Sequence, residues 1–259
     1  MSLRVASFNI HHGVGLDGVL DLDRTAAVIR ATAAEVVGLQ EVDRHLSVRS
    51  GWVDQARALA ERLGMHVAFG ANIDLDPDER RGPDSPRRHY GNAVLSAHPI
   101  DSWRNIPLPG RDGAEPRGLL TARLAVDGAA LIVGCTHLQN RSAAERVAQA
   151  ARVVEVLVPP TPSLSLSPAG ATGDAAPMVL LGDMNAGPDS EAVRALTETF
   201  TDAWAVVGTP GSAGLTFDAA TPHARIDYVL TAGRIRPRAA WVVPTDASDH
   251  RPVVADLSI

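Results

Sequence analysis

The sequence contains no lysine, and all 24 of its basic residues are arginines. Enzymes that form a Schiff base, P-loop nucleotide-binding proteins and protein kinases each use a lysine amine, so these classes are excluded. Cysteine is nearly absent as well, because Cys135 is the single one among 259 residues. One cysteine cannot form an intrachain disulfide, a cysteine-rich zinc site or a cysteine-ligated iron–sulfur cluster, and this scarcity is typical of a reducing compartment.

Long hydrophobic runs are also missing. No stretch approaches the roughly 18 uninterrupted apolar residues that cross a bilayer, and the N-terminus lacks the apolar core of a signal peptide. We therefore predict a cytoplasmic protein without a transmembrane segment. The net charge of −6 disfavours nucleic acid as a partner without excluding it, because such binding depends on neutralising several phosphates. The oligomeric state stays open.

The chain does contain enough apolar residues, 45% of the total, to build a sizeable core. Short apolar runs alternate with segments of helical period, which predicts an α/β or layered α+β fold. We predict helices at 22–32, with Asp21 as N-cap, and at 143–156. The segment 159–177 is rich in proline, serine, alanine and glycine and is predicted to be a mobile surface loop within a single domain spanning 1–259.

Four apolar runs end in side chains that can bind a metal or move a proton. They end at Asn9, at Glu41, at His137 and at the pair Asp183 and Asn185. In sheet proteins such positions gather at strand ends, where a rigid scaffold presents side chains to one cleft. The repetition therefore predicts that the four runs converge on one site.

The C-terminal quarter adds further ionisable residues. Asp227 lies in a strand-like run at 225–230, and Asp249 and His250 precede the last strand. A carboxylate inside a strand needs a partner. Two alternatives stay open for Asp227: a structural pair with Arg225, or a place in the cleft, since residues two apart in a strand share a face.

Oxygen ligands dominate this set of residues. Carboxylates and amide carbonyls favour hard octahedral cations such as Mg²⁺ or Mn²⁺, whereas catalytic zinc is usually held by three protein ligands drawn mainly from histidine. Such a cation can hold phosphate oxygens and neutralise developing charge. The two histidines could then carry out acid–base work near neutral pH.

At these positions the sequence resembles the endonuclease/exonuclease/phosphatase superfamily of Mg²⁺-dependent phosphoesterases. The motifs occur in the family's order and extend from one end of the chain to the other. They are FN at 8–9, LQEVD at 39–43, GNAVLS at 91–96, THL at 136–138, GDMN at 182–185, RIDYVL at 225–230 and SDHRPVVAD at 248–256. No single motif is decisive, but the ordered set is highly specific.

The resemblance implies a four-layered sandwich of two mixed β-sheets flanked by α-helices, with the site at the sheet edges. It also implies that Glu41 is the main Mg²⁺ ligand and that Asn9 and Asp249 assist it. Asp183 would orient or deprotonate the attacking water, and Asn185 would position the water and the phosphate.

The remaining implied roles concern the phosphate group itself. His250, oriented by Asp227, would polarise a non-bridging phosphate oxygen, and His137 would stabilise the transition state from the other side. Arg117, in the short motif PRGLL, resembles a phosphate-binding arginine, whose planar guanidinium suits bidentate capture. His11 is a further candidate near the metal, at a position where many relatives differ.

Substrate class is not decided by these motifs, because branches of the family cut DNA, RNA, sphingomyelin-like lipids and inositol phosphates. We expect hydrolysis of a phosphodiester more than a monoester, and the acidic balance favours a small or lipid-derived diester over long DNA. The arginines of the 74–89 segment, Arg80, Arg81, Arg87 and Arg88, are interpreted as part of a solvated loop rather than a phosphate-contacting edge.

Two alternatives from other functional classes are kept. One is a non-catalytic interaction module on the same scaffold, which would have lost part of the site residues. The other is a dinucleotide-binding oxidoreductase, because residues 13–18 fit G-x-G-x-x-G after a strand. The second is disfavoured because the next helix begins only near Asp21 and Asp17 would lie where a pyrophosphate needs neutral backbone donors.

Overall fold

The computed structural model describes residues 2–158 and 176–259, so the loop predicted at 159–177 lies, apart from its last two residues, outside the described residues. The strands are β1 (Ser2–Asn9), β2 (Val36–Arg44), β3 (His66–Leu75), β4 (Arg88–Ser96), β5 (Ile100–Pro107), β6 (Gly118–Val126), β7 (Ala129–His137), β8 (Met178–Asp183), β9 (Thr201–Asp202), β10 (Asp227–Ala232), β11 (Arg236–Val242) and β12 (Val253–Ser258). The helices are α1 (Leu22–Thr32), α2 (Gln55–Leu63), α3 (Ala143–Leu157), α4 (Glu191–Thr197) and α5 (Ala203–Val207).

The strands form two mixed sheets of six strands each. The first has the order β11-β12-β1-β2-β4-β3 and the second the order β5-β6-β7-β8-β10-β9. Each sheet contains one parallel pair, β1 with β2 and β7 with β8. The inner faces pack on each other, α1 and α2 cover the outer face of the first sheet, and α3 and α4 cover that of the second. The predicted four-layered sandwich of two mixed sheets flanked by helices is confirmed.

The central strands are buried on both faces, which explains their continuous apolar runs. In β1, Leu3 and Val5 point into the core between the sheets, whereas Ala6 and Phe8 lie under the helices of the first sheet. This alternation follows from the two-residue period of a strand. A strand of this kind cannot slip by one residue without exchanging its two apolar faces, so the register that positions its last residue is strongly fixed.

The helices begin and end close to the predicted residues. Helix α1 spans the predicted range, and the Asp21 carboxylate accepts a hydrogen bond of 2.9 Å from the backbone N–H of Arg24, as expected of an N-cap. Helix α3 begins at the predicted residue and extends one residue further, to Leu157. Within the two described ranges, no helix is long and apolar enough to cross a membrane.

Candidate active site

The sandwich brings the predicted site residues to one edge. The parallel pairs β1–β2 and β7–β8 point the same way within each sheet, and β1, β7 and β8 end at Asn9, His137 and Asp183. Asp227 begins the antiparallel strand β10 directly opposite Asp183. Asp249 and His250 lie shortly before β12, which begins at Val253 and runs antiparallel to β1. The convergence predicted from the four apolar runs is therefore present in the structure.

Glu41 reaches this edge in a different way from the one expected. It does not end its strand, because β2 continues to Arg44. The pairing of β2 with β4 shifts register between Leu39 and Val42, and Glu41 has a left-handed backbone with φ 58°. A bulge of this type re-aims one side chain while the strand continues. The expectation that Glu41 lies at the end of its strand is therefore wrong. The physical reason is the bulge, which turns the Glu41 side chain to the site while the strand continues.

Asp183 lies at the centre of the site and is buried. Its Oδ2 atom accepts a 3.1 Å hydrogen bond from Asn9 Nδ2 and lies 3.4 Å from His137 Nε2 and 3.6 Å from His250 Nε2. Its Oδ1 atom accepts a 2.8 Å bond from the backbone N–H of Asn185. One carboxylate thus links four of the predicted site residues.

Burial and charge set these groups to different protonation states. Burial, reinforced by the nearby charge of Asp227, raises the pKa of Asp183 to about 7. Burial alone would lower the pKa of His250, but the carboxylates of Asp227 and Asp183 raise it to about 10. Burial, together with the positive charge of Arg117, lowers the pKa of His137 well below its usual value. At neutral pH the site therefore combines a protonated His250 with a neutral His137.

The carboxylate of Asp227 is paired with His250 and not with Arg225. His250 Nδ1 lies 2.9 Å from Asp227 Oδ2, and both side chains are buried. Arg225 precedes β10 and instead donates a 2.8 Å hydrogen bond to Asp202. The alternative in which Arg225 and Asp227 form a structural pair on one strand face is therefore wrong, because the strand begins only at Asp227.

Asp227→Asn should lower turnover by roughly 10- to 100-fold, the usual cost of losing an outer orienting partner, while metal affinity is preserved. Without the carboxylate charge the pKa of His250 falls, so the protonated imidazole persists only to lower pH. The alkaline limb of the pH–rate profile should shift to lower pH. Profiles, metal titrations and melting temperatures measured on one preparation check this result.

The matched control is Asp202→Asn, which removes a buried carboxylate that also pairs with a cation. That variant should lose about 3–5 kcal/mol of stability, the usual cost of breaking a buried pair, and keep the shape of the pH profile. If Asp227→Asn behaved in the same way as this control, Asp227 would have a structural role only.

A second group of polar atoms surrounds Glu41. Glu41 Oε1 accepts a 3.2 Å bond from Asn9 Nδ2, and Asn9 Oδ1 accepts a 3.1 Å bond from the backbone N–H of His11. Asp249 is held by Ser248 Oγ at 3.2 Å and lies 3.9 Å from His11 Nδ1. Burial, together with the negative charge of Asp249, raises the pKa of Glu41 despite the bond from Asn9.

This arrangement fits a divalent cation. Among the described residues no arginine forms an ion pair with Glu41 or Asp249, and the negative charge of Asp249 acts on Glu41. The two carboxylates are ligands that Mg²⁺ accepts, whereas Asn9 turns its Nδ2 atom to Glu41 and its Oδ1 atom to the backbone N–H of His11. A second arrangement is also present: one ligand atom from each of Asp183, Asp227 and His250 lies within 4.8 Å of the others. The structure therefore offers a buried Asp–Asp–His group that could bind a metal beside the group at Glu41.

A cleft of about 540 Å³ opens beside these groups. Glu41, His137 and Arg117 contribute to its wall. Arg117 is buried, its Nη1 atom pairs with Glu115 at 3.0 Å, and its Nε atom is buried without a hydrogen-bond partner among the described residues. A guanidinium that lines a cleft is suited to binding an anion.

The cleft also contains residues for which the sequence predicts no role. These are His12, Arg49 and Tyr90, which line it together with the predicted candidate His11 and with Arg88. His11 and His12 both have left-handed backbone angles, φ 45° and 44°, and such angles in non-glycine residues often mark functional sites. The doublet directly after Asn9 was a usable signal in the sequence. Arg49 and Tyr90 belong to neighbouring strands and loops whose proximity no local pattern reveals.

The 74–89 segment divides into two parts. Arg80 and Arg87 pair with acids of the same segment, Arg80 with Asp78 at 2.6 Å and Arg87 with Asp74 at 2.7 Å. Both are exposed, in agreement with the interpretation as a solvated loop. Arg88 differs because it lines the cleft.

The glycine-rich segment 13–18 does not form a dinucleotide-binding turn. The Asp17 carboxylate accepts bonds from the backbone N–H of Val19 at 2.9 Å and from Arg24 at 2.8 Å. Val14 and Leu20 form an isolated antiparallel bridge, so the segment is a small hairpin. The strand before it lies in a mixed sheet rather than a parallel one.

The fold and the site together define a phosphoester hydrolase of the sandwich type. The family model described as "Endonuclease/Exonuclease/phosphatase family" matches residues 6–250. The chain belongs to this family.

The chain is similar to relatives of known sequence or structure. The chain is 30% identical over 278 aligned positions to the uncharacterized protein YbhP of Escherichia coli (strain K12), covering 100% of this chain and 97% of YbhP. It is 33% identical to the endonuclease/exonuclease/phosphatase from Beutenbergia cavernae DSM 12333, with a TM-score of 0.80, covering 100% of this chain and 72% of that one. The mannosyl-6-phosphatase of Bacteroides thetaiotaomicron VPI-5482 shares the fold at 18% identity, with a TM-score of 0.74, covering 99% of this chain and 100% of that one.

Proposed function

We propose that the protein is a Mg²⁺-dependent phosphodiesterase, with Mn²⁺ as a possible substitute, in which activated water attacks phosphorus. The observation that carries this proposal is the position of Asp183, whose Oδ2 atom faces two histidines of opposite protonation state beside the Glu41 group. We further propose that residues 1–259 form one domain, supported by the pairing of β1 with β12, and that it acts in the cytoplasm, supported by the single cysteine.

We propose Glu41 as the principal cation ligand, assisted by Asn9 and Asp249. When bound, the cation would supply charge neutralisation at the phosphate oxygens. Two features favour this group over the one at Asp183, Asp227 and His250. His250 Nδ1 already pairs with Asp227 in the latter, and a protonated imidazole cannot be a ligand.

The chain's own residues would then carry the proton and charge transfers. Asp183 would orient the water and accept its proton, because its raised pKa suits a base near neutral pH. Asn185, whose backbone N–H and side chain bond Asp183 and the Leu138 carbonyl, would position the water and the phosphate. Protonated His250, held by Asp227, would donate to a non-bridging oxygen.

Two further residues would hold the phosphate on its other side. His137, neutral and buried, would stabilise the transition state through its Nε2 atom, and Arg117 would bind a phosphate oxygen through the unpaired part of its guanidinium. Fixed donors of this kind lower the barrier because they are oriented before charge develops.

For the substrate we propose a small or lipid-derived phosphodiester. The net charge of −6 supports this preference over long DNA, which gains affinity from many phosphate contacts. The alternative of a phosphomonoester has support from the mannosyl-6-phosphatase that shares the fold.

The test is a panel of nucleic acids, phospholipids, small diesters and small monoesters assayed with Mg²⁺ and with EDTA. We expect hydrolysis of a diester that stops on chelation and returns when Mg²⁺ is restored. Full activity in EDTA would contradict the metal assignment. No hydrolysis of any phosphoester would favour the non-catalytic interaction module instead.

A further inference from the structure

The cleft beside the proposed reaction centre extends beyond the residues that the proposed mechanism uses. Its described lining includes Glu41, His137 and Arg117 but neither Asp183 nor His250. In an in-line displacement the attacking and leaving oxygens lie on opposite sides of phosphorus. If Asp183 orients the water, this cleft is the open space next to the reacting phosphate in which a leaving alcohol can lie.

Arg49 is held rigidly on the cleft wall. Its Nε and Nη2 atoms donate to Asp43 at 2.9 Å and 2.8 Å, and Asp43 is completely buried. The guanidinium carbon also lies 5.6 Å from the centre of the Tyr90 ring. Two hydrogen bonds and a ring contact thus hold the guanidinium, so less side-chain entropy remains to be lost on binding.

The guanidinium of Arg49 has hydrogen-bond donors beyond those that pair with Asp43. One edge of the guanidinium satisfies the buried carboxylate, whereas Nη1 makes no hydrogen bond to any described residue and 44% of the side chain is exposed. His12 beside it contributes no repelling charge at neutral pH, because burial and the charge of Arg49 lower the pKa of His12 to about 4. The outward edge of Arg49 is therefore free to bind an anion.

Arg88 supplies a second cation from a different element. It belongs to β4 and anchors through Nε, which donates to the Asp76 carbonyl at 2.8 Å. Its two terminal nitrogens have no hydrogen-bond partner within 2–158 and 176–259. Apolar side chains of Leu46 and Leu75 line the same cleft and can contact the hydrocarbon part of a small alcohol.

We infer that Arg49 and Arg88 form a second anion subsite, which binds a phosphate group carried by the leaving alcohol of the substrate. This inference rests on the proposed function for the identity of the reacting group. It narrows the substrate to phosphodiesters whose leaving alcohol is small and is itself phosphorylated. Two guanidinium groups match the two negative charges of such a phosphate.

The test compares three synthetic diesters. All are methyl 4-nitrophenyl phosphates: one is unmodified, one carries a phosphonomethyl group on the ring, and one carries a carboxymethyl group. For the parent protein with Mg²⁺, we expect kcat/KM to rise from the unmodified to the carboxylate to the phosphonate substrate. Arg49→Gln should lower kcat/KM for the phosphonate substrate on the order of 10- to 100-fold, as for loss of a charge-assisted hydrogen bond, and leave the unmodified substrate within about twofold.

Removing Arg49 alone leaves the buried Asp43 carboxylate unpaired, which can destabilise the protein. The double variant Asp43→Asn with Arg49→Gln keeps the pair neutral and should show the same loss of selectivity with an unchanged melting temperature. Arg57→Gln is the matched charge control, because Arg57 is exposed on α2 and pairs with Glu61. It should leave all three substrates unaffected.

Several outcomes would overturn the subsite. Equal losses for the unmodified and phosphonate substrates would show that Arg49 acts on the reacting phosphate or on the fold, and no change in either would show that it binds nothing. If the parent hydrolyses none of the three diesters, the proposed function fails separately. Calorimetric titration with the phosphonomethyl nitrophenol itself then decides whether the subsite exists. The affinity of the protein for this compound must fall in Arg49→Gln.

Discussion

Glu41→Gln is expected to abolish most of the activity while the fold stays intact. The substitution preserves the volume of the side chain and the Oε1 atom that accepts the 3.2 Å bond from Asn9, but removes the negative charge that would hold the cation. Loss of even an outer partner of a metal site costs roughly 10- to 100-fold in affinity or activity, so loss of the principal ligand should cost at least 100-fold. Calorimetric titration with Mg²⁺ and steady-state kinetics measure the two effects.

The stability of the folded protein, unlike its activity, should not decrease in Glu41→Gln. Burial and the charge of Asp249 raise the pKa of Glu41, which means that the ionised carboxylate destabilises the folded protein when no cation is present. In EDTA, Glu41→Gln should therefore melt at the same temperature as the parent or above it. A marked decrease would show that Glu41 is needed for folding, and the loss of activity would then be uninformative.

The same titration separates the two arrangements that could bind a metal. If the cation binds at Glu41, Glu41→Gln weakens it and Asp227→Asn does not. If it binds among Asp183, Asp227 and His250, the two results are reversed. Glu35→Gln is the matched control, since Glu35 is a half-exposed acid that pairs with His98 at 3.2 Å and should leave both metal affinity and turnover unchanged.

Each of the single variants His137→Ala and His250→Ala should lose on the order of 10²- to 10⁴-fold in turnover, the range for removal of a positioned proton donor or acceptor. The double variant should lose less than the product of the two single losses. Both imidazoles lie within 3.6 Å of the same Asp183 oxygen, and groups that act on one transition state are strongly non-additive. Single-turnover rates for the four proteins give the coupling directly.

A control variant and a check of stability complete this experiment. His66→Ala is the control, because His66 is exposed at the start of β3 and should leave turnover unchanged. Fully multiplicative losses would contradict a shared phosphate and would place the two histidines in separate steps. A normal melting temperature is required of each variant, because both imidazoles are buried and their removal leaves cavities.

Much of the fold follows from local pattern alone. The strand core of β1 and the bounds of α1 are predictable because a strand buried on both faces needs an unbroken apolar run, and a helix needs a cap such as Asp21. The layered arrangement of two mixed sheets follows from the ordered family motifs, and the family assignment agrees with it. Side chains that end strands, such as Asn9 and Asp183, were placed correctly at one edge, because strand direction is fixed by the chain.

Which side chains contact each other, by contrast, was decided only by the tertiary structure. The sequence allows Asp227 to pair with Arg225, and the structure pairs it with His250, because the strand begins at Asp227 and Arg225 is drawn to Asp202. Glu41 reaches the site through a bulge that a run of apolar residues cannot reveal. Arg49, in a short turn after β2, meets Tyr90 of β4, which lies 41 residues further along the chain.

The physical reason is the range of the forces involved. Periodicity, capping and apolar runs act over a few residues, so the sequence by itself determines which segments are strands and helices and which types of side chain end them. Ion pairs, burial and the resulting pKa shifts act between segments far apart in the chain, as in the ion pair of Arg4 with Asp256, which are 252 residues apart. Only packing of the two sheets places those groups within hydrogen-bond distance, and it therefore decides which histidine is charged, which arginine is free and where a cation fits.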